Sequence, residues 1–183
     1  MRKIAGLLLM SLFCMCFTCS DDLVLPPATT EGEDIFGCVV NGELFVKNHE
    51  YDNRSFYSSD SAKVYRRANE YEYRNSQFDG EISLIAKKLN LEQGKTYPLA
   101  APKAGQAHAE MTTASGQKYT TTDLNTGAWT ITKIDKTNRI ISGYFWFDIE
   151  TVDNDVYRVR RGRFDIKYFD LPLEVKPISN KMH

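Results

Sequence analysis

The chain has 183 residues, with 24 acidic against 23 basic side chains and a net charge of −1. That length suits one domain with a sizeable core, and the charge balance excludes the basic surface that nucleic-acid binding needs. Of four cysteines, three lie at Cys14, Cys16 and Cys19, and only Cys38 follows, so a disulfide framework is excluded for the body of the protein.

Arg2 and Lys3 precede an uncharged run from Ile4 to Phe17, which gives way to Ser20-Asp21-Asp22. A stable membrane span needs about 20 apolar residues, so this run is too short. A basic head, a short apolar stretch and an abrupt polar switch are the layout of an export signal. The C-x-C-x-x-C spacing has no second ligand pair and no His nearby, which argues against zinc. The stretch resembles a bacterial lipoprotein signal, cut just before a cysteine that carries acyl chains. Cys19 fits best, with Thr18 before it and polar Ser20 after it, whereas Cys14 and Cys16 follow the bulky Phe13 and Met15. The resemblance implies a signal peptide over 1–18 and lipid, palmitate among its chains, on Cys19. Two or three chains would hold the protein on a membrane, where one would not.

Residues 19–34, "CSDDLVLPPATTEGED", carry acidic, Pro, Thr and Gly residues without period and read as a flexible tether. From Ile35 to residue 170 the pattern is that of an antiparallel β domain. Asn41-Gly42 is the preferred pair for a tight hairpin turn. Two Tyr-rich segments, with Tyr65 before and Tyr71 and Tyr73 after Ala68-Asn69, suggest a second hairpin. "EISLIAKKL" alternates and reads as a strand rather than a helix. Residues 100–117 are rich in Ala, Gly and Thr and read as a loop with one weak strand, Ala107 to Thr113. "GAWTITKID" and "RIISGYFWFDI" flank a turn at Lys136-Thr137-Asn138, and a further turn falls at Asp153-Asn154. "RFDIKYF" alternates, with Phe164, Ile166 and Tyr168 on one face and Arg163, Asp165 and Lys167 on the other. Many short strands mean an all-β antiparallel sandwich or barrel-like domain. Residues 171–183, with two prolines, read as a peripheral tail.

"FGCVVNGELFV", "GAWTITKIDKTNRIISGYFWFD" and "GRFDIKY" resemble an uncharacterised family of small lipoproteins from Bacteroidota, over about residues 35–169. The resemblance implies an antiparallel β domain in the cell envelope and brings no catalytic residues. "SDD" after Cys19 also resembles the signal that sends lipoproteins of this phylum to the outer face of the outer membrane.

No constellation points to catalysis. His49, His108 and His183 lack ligand spacing, so no metal or cofactor is expected. Ser115 and Lys118 have the spacing by which a lysine activates a serine, but lie in a Gly-bounded loop without the companion motifs. Asp153-Asn154-Asp155 fits a turn and lacks calcium-loop spacing. Cys38, in an apolar strand, reads as a core residue. Arg158 and Arg160 share a strand face, with Arg161 opposite. Arginine forks on a solvated face suit a carboxylate or phosphate. In "GYFWFD", Phe145 and Phe147 point one way and Tyr144 and Trp146 the other, so one pair fills the core and the other packs under a loop or stands as a platform. Asp60-Ser61-Ala62 resembles an O-glycosylation sequon of this phylum, which implies Ser61 as the acceptor. The expectation is a lipid-anchored, non-enzymatic envelope domain that binds a glycan or protein partner through Tyr144, Trp146, Arg158 and Arg160. The alternatives are a structural accessory subunit of an outer-membrane complex and a hydrolase whose site the sequence does not betray.

Overall fold

Period-two alternation runs through the described residues, which are 24–46, 53–58, 61–67, 80–113 and 115–170 of a computed structural model. Among them there are twelve strands and no helix. They are β1 (Ile35–Val40), β2 (Glu43–Val46), β3 (Asn53–Tyr57), β4 (Ser61–Arg67), β5 (Gly80–Lys87), β6 (Thr96–Leu99), β7 (Gln106–Thr113), β8 (Lys118–Thr120), β9 (Gly127–Asp135), β10 (Ile140–Glu150), β11 (Val156–Lys167) and β12 (Phe169–Asp170). All join one sheet, in the order β12-β3-β4-β5-β7-β6-β9-β10-β11-β1-β2, with β8 paired to β7. Neighbours are antiparallel except β6–β7 and β12–β3. The domain is therefore all-β and barrel-like: an open sheet curled into a half-barrel rather than two stacked sheets.

The curl follows from the chain. Tyr168 alone separates β11, near one end of the strand order, from β12 at the other, so the two ends of the sheet must approach each other. Its ring lies 5.0 Å from that of Tyr57, and its N–H donates to the carbonyl of Arg139. Bulges supply the bending. Register shifts fall between Ser142 and Gly143 against β9, between Phe145 and Phe147 against β11, and between Gly37 and Val39 along β1. Each extra residue bends its strand and raises the local twist.

The inner face is one apolar core. Trp129, Ile131, Phe147, Phe164, Leu84 and Met111 are buried in it, and Trp129 meets Phe164 edge-on at 6.2 Å. β7 is a full interior strand, not a weak one. Ala107 and Ala109 fill inward positions where the sheet leaves little room, so a segment poor in large apolar residues still belongs to the core. Arg66 also points inward, opposite Ile82, with its guanidinium 5.0 Å from the ring centre of Phe45 and a bond to the carbonyl of Val46. Cys38 is fully buried; burial pushes its thiol pKa far up, and the nearby Arg66 offsets this only in part. A thiol reagent should leave native Cys38 unmodified and label it only after denaturation, as mass spectrometry would read.

The turns match their residues. Asn41 and Gly42 both have positive φ between β1 and β2. Asp135 Oδ1 accepts from the N–H of Thr137 and of Asn138 between β9 and β10. Asn154, with φ 63°, turns β10 into β11. The hairpin expected at Ala68-Asn69, Tyr71 and Tyr73, the signal over 1–18 with Cys19, and the tail 171–183 lie outside the described residues.

From Val24 the expected tether is not a free strand of chain but lies on the outer face of the sheet. Leu25 is buried, Arg163 donates to the carbonyl of Pro26, and Lys133 donates to that of Thr30. Gly32, at φ 77°, lets successive N–H groups converge, so those of Glu31, Gly32 and Glu33 all reach the Asp165 carboxylate at 2.9–3.2 Å. Runs of N–H groups in such turns make anion-holding concavities. The hydroxyls of Thr29 and Ser142 complete the set at 2.6 Å each.

Candidate binding surface

β10 sorts its aromatic residues by alternation. Phe145 and Phe147 are buried inward, while Tyr144 and Trp146 point outward and are 46 % and 43 % exposed. The surface around them stays open on one side because their neighbours are small. Trp146 pairs with Ala128 on β9, beyond which lies Pro98 on β6. Tyr144 pairs with Thr130, which is hydroxyl-bonded at 2.8 Å to Thr96. Two rings at i and i+2 stand roughly 7 Å apart on one face.

β11 closes the other side with arginines. Across the bulge, Phe145 pairs with Gly162 and Phe147 with Val159, so both Arg160 and Arg161 stand opposite Trp146. Arg161 takes φ 55° as the extra residue. The expectation that Arg161 lies on the face opposite Arg158 and Arg160 assumed unbroken alternation; the bulge interrupts it. Arg160 is tightly held. Its guanidinium reaches both carboxylate oxygens of Asp148, at 2.6 and 3.0 Å, and donates to the carbonyls of Phe147 and Val159. It lies 5.4 Å from the centre of the Trp146 indole, within cation–π range. Arg158 is exposed and pairs across the ladder with Asp148. Arg163 pairs with Tyr144 and is committed to Pro26. The surface is thus a rigid strip of two rings edged by guanidinium groups, suited to stacking a flat apolar face while hydrogen-bonding its polar rim.

Of the other candidate residues, Ser115 and Lys118 do not meet. Ser115 shares a hydrogen bond with Thr113, and Lys118 pairs with Glu110 at 2.8 Å. Ser61 opens β4, its carbonyl accepting from the N–H of Ser58. Asp60 before it, His49 and His183 lie outside the described residues. Among the described residues no group of three His, Cys, Asp or Glu side chains could hold a metal ion, and no helix is long and apolar enough to cross a membrane. Sequence reasoning missed Asp148, the partner that fixes Arg160, and Asp165. Asp148 was visible as the outward residue two positions after Trp146. Nothing local marked Asp165, because its donors come from residues 29–33 and 142.

No curated protein and no solved structure matches the chain. A family model does match, from residue 48, after β2, to residue 165 within β11. The chain therefore belongs to the family described as Domain of unknown function (DUF6252), to which residues 48–165 correspond.

Proposed function

We propose that this chain is a lipid-anchored, non-enzymatic β domain of the Bacteroidota cell envelope, held on the outer face of the outer membrane through Cys19, and that its outer aromatic–arginine strip binds a glycan or protein partner. The observation that carries the binding reading is the exposure of Tyr144 and Trp146 beside an Arg160 whose geometry is fixed by Asp148. Exposed Trp and Tyr on a rigid strand lose little conformational freedom on binding, and a pre-set guanidinium loses less than a free one. A glycan is favoured because its ring faces are apolar and its edges polar, which matches two rings rimmed by guanidinium groups.

The anchoring reading rests on the "CMCFTCSDD" stretch. The docked segment adds a constraint to it. Five steps of chain separate Cys19 from Val24, at most about 18 Å fully extended, so the end of the domain that carries Val24 would lie close to the membrane surface.

The test combines protease shaving of intact cells with fractionation of wild type and Cys19→Ala. Surface anchoring predicts cleavage while periplasmic controls survive, and release of Cys19→Ala from membranes. A variant that stays with membranes would sink the anchor. On the purified domain, Trp146→Ala should weaken glycan binding at least tenfold, or about 1.4 kcal/mol. Fixed stoichiometric protein partners, with no glycan affinity, would turn the reading towards the accessory-subunit role.

A further inference from the structure

A second feature lies elsewhere on the outer face. His108 points outward from β7, paired with Ile85 on β5, and next to it Lys87 pairs with Gln106. The loop 100–105 folds back over this spot. The N–H of Gly105 donates to the carbonyl of Lys87 at 2.8 Å, and that of Ala100 to the carbonyl of Ala107 at 3.1 Å. Between loop and sheet lies a cavity of about 390 Å³ lined by Lys87, Lys88, Pro102, Lys103, Ala104 and His108. That size is at the lower end of small-molecule sites, enough for one ring. The loop leaves His108 only 7 % exposed, and its Nδ1 is buried with no hydrogen-bond partner among the described residues. Buried side-chain nitrogens are rarely left so, and such an atom beside a cavity marks a place built to receive a polar group.

The charge around the cavity gives the sign of that group. Lys87 and Lys88 are exposed at its rim. Lys103 is shared with Asp123 at 3.1 Å, which cancels one charge and leaves two. Glu110, the acid on β7, is engaged by Lys118. Lys63 on β4 is engaged by Glu81.

We propose that this cavity binds a small ligand bearing an oxyanion (a carboxylate, sulfate or phosphate), with Lys87 and Lys88 supplying charge and His108 a hydrogen bond. The ligand is either an acidic monosaccharide unit or a free oxyanion of the same chemistry. The site is separate from the Tyr144–Trp146 strip. β9 and β6 intervene between β10 and β7, so the two sites stand three strand spacings apart, roughly 14 Å, and the proposal holds whether or not the strip binds anything. A bound anion would favour the imidazolium, which burial otherwise disfavours, with Glu110 acting against burial and Lys87 with it. Affinity should therefore rise as pH falls.

The experiment titrates the purified domain with three probes: glucuronate, inorganic sulfate and neutral glucose. Calorimetry reads binding, and the His108 imidazole signals are followed by NMR. The expected result is binding of glucuronate, with or without sulfate, shifts at His108, and no binding of glucose. Glucuronate far tighter than sulfate identifies an acidic sugar as the source; equal affinities identify a free oxyanion. Lys87→Ala with Lys88→Ala should weaken binding at least tenfold without unfolding, since both side chains are exposed. His108→Asn should weaken it and flatten its pH dependence. Lys136→Ala, a basic residue outside this cavity, should change nothing. Glucose binding as tightly as glucuronate, an unmoved His108 signal, or an equal loss in Lys136→Ala would each overturn the proposal.

Discussion

Replacing Asp165 by Ala should cost about 3 kcal/mol of stability and free residues 24–34 from the sheet. The side chain is 1 % exposed and gathers five donors, two hydroxyls and three backbone N–H groups. A hydrogen bond to a charged group contributes about 1.5–3 kcal/mol, and a buried donor left without a partner costs about 1–3. The released segment re-solvates its own N–H groups, which removes part of that loss, but Ser142 is buried and keeps its share. Against a total stability of about 5–15 kcal/mol the expected change is large. Urea denaturation measures it, and limited proteolysis between Leu25 and Gly32 shows whether the segment has come away. A variant with wild-type midpoint and an uncut segment would show that the carboxylate does not hold it.

The same residue sets an acid limb. Burial alone would raise the Asp165 pKa, but the bonds from Ser142, Thr29 and the N–H groups of Glu33 and Gly32 outweigh it and hold the carboxyl below its ordinary value. A carboxyl with a folded-state pKa below its unfolded one adds stability that is complete above the unfolded value of about 3.9 and is lost as pH falls through the folded value. The stability difference between wild type and Asp165→Asn should therefore be constant above about pH 5 and shrink towards about pH 2. Asp123 and Asp135 are also held low, by Lys103 and by Asn138. Both remain in the variant, so their contributions cancel in the difference.

Alternation made most of the fold legible. "RFDIKYF" sorted Phe164, Ile166 and Tyr168 inward correctly, since a period of two is a local property of the backbone. Asn41-Gly42 and Asp153-Asn154 marked their turns for the same reason. What could not be read were the consequences of long-range placement. Asp165 sits at a position that alternation assigns to solvent, yet it is buried because a segment 132 to 136 residues earlier folds over it. Arg161 lands beside Arg160 because a bulge, set by how β11 meets both β10 and β1, breaks the period. The site was half legible on the same terms: alternation along β10 separates Tyr144 and Trp146 from Phe145 and Phe147, while the structure shows that the first pair faces outward. The cavity at His108 needs the loop 100–105 to close over β7, and no local pattern announces that.

Gly162→Ala should be among the most damaging single-methyl additions, at about 3 kcal/mol, and it should be repairable. Gly162 faces inward opposite Phe145, and a Cβ there would stand 2.5 Å from the Phe145 ring. A side chain forced off its rotamer or a displaced strand costs about 1–3 kcal/mol. Phe145 in turn packs on Phe36 at 5.1 Å and Phe147 at 6.2 Å, so its ring has little room to yield. Because the atoms in the way belong to one side chain, shortening it should relieve the clash. Gly162→Ala with Phe145→Leu should be more stable than the two single effects sum to, with a coupling of at least about 1 kcal/mol. Gly143 supplies the contrast. A Cβ there would meet the backbone carbonyl oxygen of Thr130 as well as the Phe164 ring. No side-chain change moves a carbonyl held in the sheet, so Gly143→Ala should be no less destabilising when combined with Phe164→Leu than the two single effects sum to. Chemical denaturation of the two double-mutant cycles separates the cases. Additive effects at Gly162 and Phe145, or rescue at Gly143, would mean that these glycines are set by something other than the space beside them.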